Sequence, residues 1–215
     1  MKVEVMSDIL KANDLLANEI RELLKANGVT SFNIMGSPGS GKTSILERLI
    51  PMLPKEIKPA VIEGDIATTN DAERIAKTGV FATQINTRGA CHLDAAMVKA
   101  AIQKIELDKI NLLFIENVGN LVCPSGFDIG ENKRIVVSSI SEGDDKPIKY
   151  PVMFKGVSLV ILNKIDLMEL SDFDEENFTK GLKKINPGAT VLKVSAKTGE
   201  GFEELVRWVK ENIAS

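Results

Sequence analysis

Residues 36–43 read Gly-Ser-Pro-Gly-Ser-Gly-Lys-Thr, between the apolar run SFNIM and a segment patterned as a helix. That matches G-x-x-x-x-G-K-[ST] in the context where the pattern has mechanical meaning: a strand ends, the chain turns tightly, and a helix begins. Gly36, Gly39 and Gly41 let the turn close with its amide hydrogens facing inward, and the helix that follows presents its positive end to the same point. Such a cradle holds a polyanion. The stretch Gly36, Ser37, Pro38, Gly39, Ser40, Gly41, Lys42, Thr43 and Ser44 is therefore assigned to nucleotide phosphates. Lys42 is expected to reach the β- and γ-phosphates, and Thr43 to offer a hydroxyl to Mg²⁺.

A loop of this kind hangs from a sheet, and the rest of the chain supplies one. Between residues 7 and 27, Ile9, Leu10, Leu15, Leu16, Ile20, Leu23 and Leu24 recur at helical spacing, with Ser7 placed to start the helix and Gly28 to stop it. After it come the short apolar runs SFNIMG, PAVIEGD, VFATQINT, NLLFIEN, RIVVSSI, SLVILNK and TVLKVS, most of them separated by helix-patterned segments. Alternation of strand and helix predicts an α/β fold with a mostly parallel sheet flanked by helices, and ligand sites beyond the carboxyl ends of the strands. The expected organisation is an N-terminal amphipathic helix over residues 1–28, packed on a single domain over 29–215. The polar stretch 141–149 is expected to be a flexible loop.

Composition narrows the partners. A formal charge of −3, with acids and bases interspersed, provides no basic block for a phosphate backbone, so nucleic acid is not an expected partner. No apolar run approaches the roughly 20 residues that span a bilayer, so no membrane partner is expected. The start, MKVEVMSDILK, breaks its apolar residues with charges, unlike a secretory signal, so the expected location is the cytoplasm. Two cysteines are too few for a disulfide-framed fold, and in a reducing compartment both stay available for other chemistry.

Three further segments carry chemistry. Asp65 closes PAVIEGD and Glu116 closes NLLFIEN, which places two carboxylates at the phosphate edge as candidates for the magnesium side, alongside Lys42 and Thr43 as candidate catalytic residues. NLLFIENVG resembles the apolar strand plus D-x-x-G of GTPases, with Glu116 in place of the usual Asp and Gly119 where a peptide can sense a γ-phosphate. Asp71 fits a helix cap as well as a site. The end of SLVILNKID places Asn163, Lys164 and Asp166 as in the N-K-x-D motif. An Asp carboxylate there can accept two hydrogen bonds from guanine, whereas adenine offers no matching donor pair. SAKTG contributes Ser195, Ala196 and Lys197 as a second guanine loop, with the Ala196 amide directed at O6. GTP or GDP is thus the expected nucleotide. No glutamine follows Gly119 to orient water, so slow intrinsic hydrolysis is expected.

The only histidine and the two cysteines fall as Cys91-His92 and Cys123-Pro124, each just beyond a strand and so at the same sheet edge. Thiolate and imidazole suit Ni²⁺ or Zn²⁺, and three ligands leave a tetrahedral site one short, which a second copy of the chain across a two-fold axis could complete. Spacing alone equally allows buried cysteines and a histidine packed at the start of the helix LDAAMVKAAIQKI, since no C-x-x-C pair is present.

Taken together, GSPGSGKT, EGDIATTNDAERI, CHLDA, ENVGNLVCP, NKIDL and SAKTGEG resemble the hydrogenase-maturation nickel-insertion GTPases, the HypB family, over nearly the whole chain. CHLDA and ENVGNLVCP discriminate; the other motifs are shared by many GTPases. The resemblance implies that Cys91, His92 and Cys123 bind Ni²⁺ or Zn²⁺ at the interface of a GTP-bound homodimer. It also implies a hydrogenase large-subunit precursor and a partner nickel metallochaperone as partners. Some members begin with a nickel-binding cysteine motif or carry a histidine-rich stretch. This chain begins MKVEVMSDIL and has one histidine, so tight nickel storage by the N-terminus is not expected. The related urease-maturation GTPases carry Cys-Pro-His, whereas here Ser125 follows Pro124, which places a urease role second. A regulatory GTPase with structural cysteines is the remaining alternative.

Overall fold

A computed structural model describes residues 4–65 and 70–213, with side chains from Leu10 onward. The chain order is α1 (Glu4–Ala26), β1 (Thr30–Gly36), α2 (Lys42–Leu49), β2 (Pro59–Asp65), α3 (Asn70–Ala76), β3 (Phe81–Asn86), α4 (Ala95–Ile102) and β4 (Leu112–Glu116). It continues with β5 (Lys133–Ser139), α5 (Lys146–Lys149), α6 (Pro151–Phe154), β6 (Leu159–Asn163), α7 (Glu175–Ile185), β7 (Thr190–Lys193) and α8 (Phe202–Asn212). The strands form a seven-stranded sheet in the order β3-β2-β4-β1-β5-β6-β7, and every pairing between them is parallel. All seven apolar runs of the sequence are therefore strands.

The central strands β1, β4 and β6 are buried at every residue, while edge strands β3 and β7 are half exposed. That is why the central runs show no alternation in sequence. Alternation appears in three dimensions instead. Phe32, Ile34, Phe114 and Val137 face α2 and α8; Ala60, Ile62, Leu113 and Ile115 face α1 and α4; Met35, Val136, Val160 and Leu162 face α6 and α7. Truncating a buried aromatic such as Phe114 to Ala costs about 3–5 kcal/mol in sites of this kind. Because β1 connects outward to β2 and the chain returns to β4 and then β5 on either side of it, the carboxyl end of β1 is the switch point where a crevice must open.

Two expectations change. Helix α1 is already formed at Glu4, so Ser7 lies inside it and does not start it. The buried stripe is Asn13, Ala17, Ile20 and Leu24, and three of the leucines that made the helix look amphipathic, Leu10, Leu15 and Leu23, point outward. The small Ala17 and the polar Asn13 allow the close approach: Asn13 accepts from the Ala95 amide at 3.0 Å and donates to the Asp128 carbonyl at 2.8 Å. The stretch 141–149 is not a loop without structure. Ile140–Glu142 forms a 3-10 turn, Lys146–Lys149 a short helix, and Pro147 is buried. No helix among the described residues is long and apolar enough to cross a membrane.

Gly130 seats α1. Its φ is 83°, and a Cβ there would stand 2.6 Å from Ile20 Cβ and 2.7 Å from the Ala17 carbonyl. Gly130→Ala should therefore lose about 2–3 kcal/mol in urea unfolding, through backbone strain and displacement of the helix. A loss below about 0.5 kcal/mol, within the usual scatter of surface substitutions, would show that α1 is not held there.

Candidate functional site

A cavity of about 800 Å³ opens at the switch point, lined from one end by Pro38, Gly39, Gly41, Lys42, Thr43 and Ser44, and from the other by Asn163, Lys164, Asp166, Ala196 and Lys197. Asp65, Glu116 and Gly119 complete the predicted lining. Gly36, Ser37, Ser40 and Ser195 stand behind the wall. Ser195 donates to Asp166 Oδ1 at 2.6 Å, which fixes the carboxylate and leaves its second oxygen 4.0 Å from Lys197 Nζ.

At the phosphate end, Gly41 precedes α2 with φ 99°, and a Cβ there would lie 2.2 Å from Asn163 Nδ2. The loop can thus close only with glycine at that position. The Lys42 ammonium folds over its own loop, donating to the carbonyls of Ser37 at 3.2 Å and Gly36 at 3.4 Å. At the base end, Asn163 works in both directions: its Nδ2 donates to the Ser40 carbonyl at 2.9 Å and its Oδ1 accepts from the Ala196 amide at 3.1 Å. The Ala196 hydrogen is thus already engaged inside the protein and not directed into open space. Lys164 holds a left-handed backbone, φ 64°, with its ammonium on the Gly39 carbonyl at 2.8 Å. Arg48 on α2 closes the ring by donating to the Ala196 and Lys197 carbonyls at 2.9 and 3.1 Å.

On the side expected to face magnesium, Thr43 donates to Glu116 Oε1 at 2.9 Å, and Glu116 is buried. Sequence reasoning missed its neighbour. Glu63 lies directly opposite Glu116 across the β2–β4 ladder and is 2% exposed. The strand period was the available signal: Glu63 and Asp65 are two apart and share a face. Burial, then the negative charge of Glu116, pushes the Glu63 carboxyl well above the usual range. Burial also raises Glu116, opposed by the Lys42 charge and the Thr43 hydroxyl. The physical assignment is one proton on Glu63 and a carboxylate at Glu116, since two buried like charges do not both ionise. Thr43, Glu116, Asp65 and the neighbouring Asp71 all line the cavity, and oxygen donors of this kind are the class that Mg²⁺ takes. Arg74, also unforeseen, lines the cavity while paired with Glu47 and Asp71.

Beyond the same edge, Cys91, His92 and Cys123 place their ligand atoms within 4.8 Å of one another. Cys91 Sγ lies 3.7 Å from His92 Nδ1, close to the roughly 3.6 Å edge of a tetrahedral site with ordinary metal–sulfur and metal–nitrogen bonds. The His92 ring stacks on Phe127, centroids 3.9 Å apart, which fixes its plane. A hydrogen bond with Cys91, then burial, raises the Cys123 thiol, and a thiol that ligates a cation gives up its proton. Both cysteines are free and half-buried.

The nucleotide-binding domain model described as CobW/HypB/UreG matches residues 30–193. A hydrogenase maturation factor HypB of Rhizobium leguminosarum is 48% identical over 99% of this chain and 71% of its own length. The probable HypB of Methanocaldococcus jannaschii is 45% identical over 98% of this chain and 96% of its own. The chain belongs to the HypB family. HypB from Helicobacter pylori, solved in complex with nickel, superposes with a TM-score of 0.89 at 40% identity, covering 95% of this chain and 98% of that one. HypB from Archaeoglobus fulgidus gives 0.87 at 41% identity, covering 94% and 98%. As a HypB chain it is a P-loop GTPase.

The acid pair makes a test of this HypB site without nucleotide. A carboxyl raised in the folded state stabilises the fold below its unfolded value and loses that contribution as pH rises through the folded value. Glu63→Gln removes the loss. In melts without nucleotide or Mg²⁺, the variant should have a higher Tm than wild type at pH 8, and the gap should narrow toward pH 5. An equal gap at both pH values would mean Glu63 is not part of a proton-sharing pair.

Proposed function

We propose that this chain is a GTP-hydrolysing metallochaperone of hydrogenase maturation, in which the bound nucleotide sets how tightly Cys91, His92 and Cys123 hold nickel. One observation carries the reading: the nucleotide cavity and the thiol–imidazole cluster stand on the same sheet edge, with Glu116 in the first and Cys123 in the second at the two ends of one short segment. The cluster supplies three ligands. A homodimer formed with GTP would let a second copy complete or share the coordination. Nickel is the cargo, supported by the nickel complex of the H. pylori relative; Zn²⁺ fits the same ligands. The partners in this reading are a hydrogenase large-subunit precursor and a nickel metallochaperone, in the cytoplasm, with no role for nucleic acid. One relative, 40% identical, is a hydrogenase/urease maturation factor HypB. Ser125 after Cys123-Pro124, where the urease-type motif has histidine, keeps hydrogenase first.

In the chemistry, Thr43 and Glu116 would hold Mg²⁺ directly or through water, with Asp65 beside them. When bound, the ion neutralises charge on the β- and γ-phosphates. Lys42 exchanges its two carbonyl partners for phosphate oxygens. Asp166, held by Ser195, presents its free oxygen to the guanine edge, and Gly119 offers its amide to the γ-phosphate. Among the described residues no glutamine lines the cavity, in keeping with slow turnover and with a switch more than a fast catalyst. The segment after Asp65, residues 66–69, expected to order around GTP, lies outside the described residues.

Asp166→Ala should weaken GTP by about 100-fold and remove the preference over ATP, read by fluorescent-nucleotide competition. A retained preference would move the base contact elsewhere. Sedimentation with a GTP analogue, with and without Ni²⁺ or Zn²⁺, should show a dimer for wild type. Cys91→Ala combined with Cys123→Ala should lose stoichiometric metal and any metal-dependent gain in dimer. Unchanged metal binding in that double variant would place the site elsewhere.

A further inference from the structure

The two sites share the residues between them, and those residues are not evenly built. Two asparagines of the segment ENVGN each hold one arm of the metal cluster. Asn117 is buried, 1% exposed. Its Oδ1 accepts the amide hydrogen of Leu93, the residue after His92, at 3.1 Å, and its Nδ2 donates to Asn33 Oδ1 at 3.2 Å. Asn33 lies within β1 and donates in turn to Glu131 at 3.3 Å, so one end of the Asn117 amide is anchored in the sheet while the other grips the Cys91-His92 arm. Asn120 holds the second arm. Its Oδ1 accepts from the amides of Val122 at 2.7 Å and Cys123 at 3.2 Å, capping the 3-10 turn Cys123–Gly126 that presents the thiol.

The same segment is pinned to the phosphate loop. The Asn120 backbone N–H donates to the Gly36 carbonyl at 3.0 Å, and that carbonyl also takes the Lys42 ammonium at 3.4 Å. Between the two asparagines Gly119 lies flat on Pro38: a Cβ there would stand 3.0 Å from Pro38 Cα and N. Asn117, Val118 and Gly119 line the nucleotide cavity and Asn120 does not. A turn cap alone would be ordinary loop geometry. Here both arms of one cluster hang from a single segment whose backbone is bonded to the loop that meets the phosphates.

We propose that Asn117 and Asn120 are the positioning residues through which nucleotide state reaches the metal cluster, Asn120 for the Cys123 arm and Asn117 for the Cys91-His92 arm. The inference rests on the reading of both sites given above. A γ-phosphate that draws the Gly119 amide takes Asn120 with it, and Lys42, leaving Gly36 for phosphate, gives up its claim on the carbonyl that Asn120 shares. The Cys123 arm then moves against the Cys91-His92 arm, which Asn117 ties to β1. By linkage the same coupling must appear as a metal effect on nucleotide affinity.

The test uses the full chain and Ni²⁺ alone, with Kd measured by competition with a chromogenic chelator, once in GDP and Mg²⁺ and once in a non-hydrolysable GTP analogue and Mg²⁺. Wild type should show a ratio of about 5-fold or more between the two states. Asn120→Ala should bring that ratio within about 2-fold, whatever the change in Kd common to both states. Asn120→Asp, whose carboxylate accepts the same two amides, should keep the wild-type ratio. If Asn120→Ala fails to fold by circular dichroism, Asn120→Ser is judged by the same ratio. A Kd changed equally in both nucleotide states, leaving the ratio intact, makes Asn120 a structural residue and overturns the inference, with the proposed function standing. A wild-type ratio of about 1 overturns the switch itself and this inference with it.

Discussion

The parallel pairing of β1 with β4 sets where each charge of the nucleotide site stands. Its register puts Ile34 beside Glu116, so β4 ends where the phosphate loop begins and a carboxylate falls onto the Thr43 hydroxyl. Pairing of β2 with β4 then stacks Glu63 against Glu116. A buried acid pair is costly, and here the cost is offset by a proton and by Lys42. The nucleotide cavity therefore carries buried acid at the spot where the phosphate loop begins.

The two ends of the nucleotide are recognised by loops from distant parts of the chain, and direct bonds hold those loops together. Asn163 spans from the Ser40 carbonyl to the Ala196 amide, and Arg48 joins the phosphate-loop helix to the loop at 195–199. Both residues spend these hydrogen bonds inside the protein. They keep the distance between phosphate cradle and base clamp constant, which is what makes the site measure a guanine nucleotide and not phosphate alone.

Much of this was legible in the sequence, and the exceptions have physical causes. The seven apolar runs could be read as strands because buried parallel strands are continuous apolar runs. The phosphate loop and the base motif could be read because backbone turns and guanine donors demand particular residues at particular spacings. Helix α1 misled in part: helical periodicity reports that a face exists, but close approach through Ala17 and Asn13, not leucine content, selects which face is buried. The charged stretch 141–149 folds because Pro147 is buried and Gly181 lets α7 approach Ile148, contacts that depend on a helix thirty residues on. Arg48 lies outside any motif, and Glu63, Asn117 and Asn120 sit within quoted segments with no role that spacing assigns, since their partners are chosen by register and crossover. For Cys91, His92 and Cys123 spacing left two readings open, and only the fold brings their ligand atoms within 4.8 Å of one another.

The sheet order has a consequence for how this molecule is made. β1 lies at the centre, flanked by β4 and β5, so the phosphate loop emerges early in synthesis but has no neighbouring strand until residues up to 116 have been added, and none on its other side until residues up to 139. The base clamp waits longer still, until the loop at 195–199 is present to meet Asn163. A nascent chain therefore cannot use GTP to stabilise its first half. Nearly all of the pairing that builds the nucleotide site is non-local, which slows folding and leaves β1 exposed in the interval. The nucleotide cavity is therefore complete only once the loop at 195–199 has been made, whereas Cys91, His92 and Cys123 are all present before β5 is added.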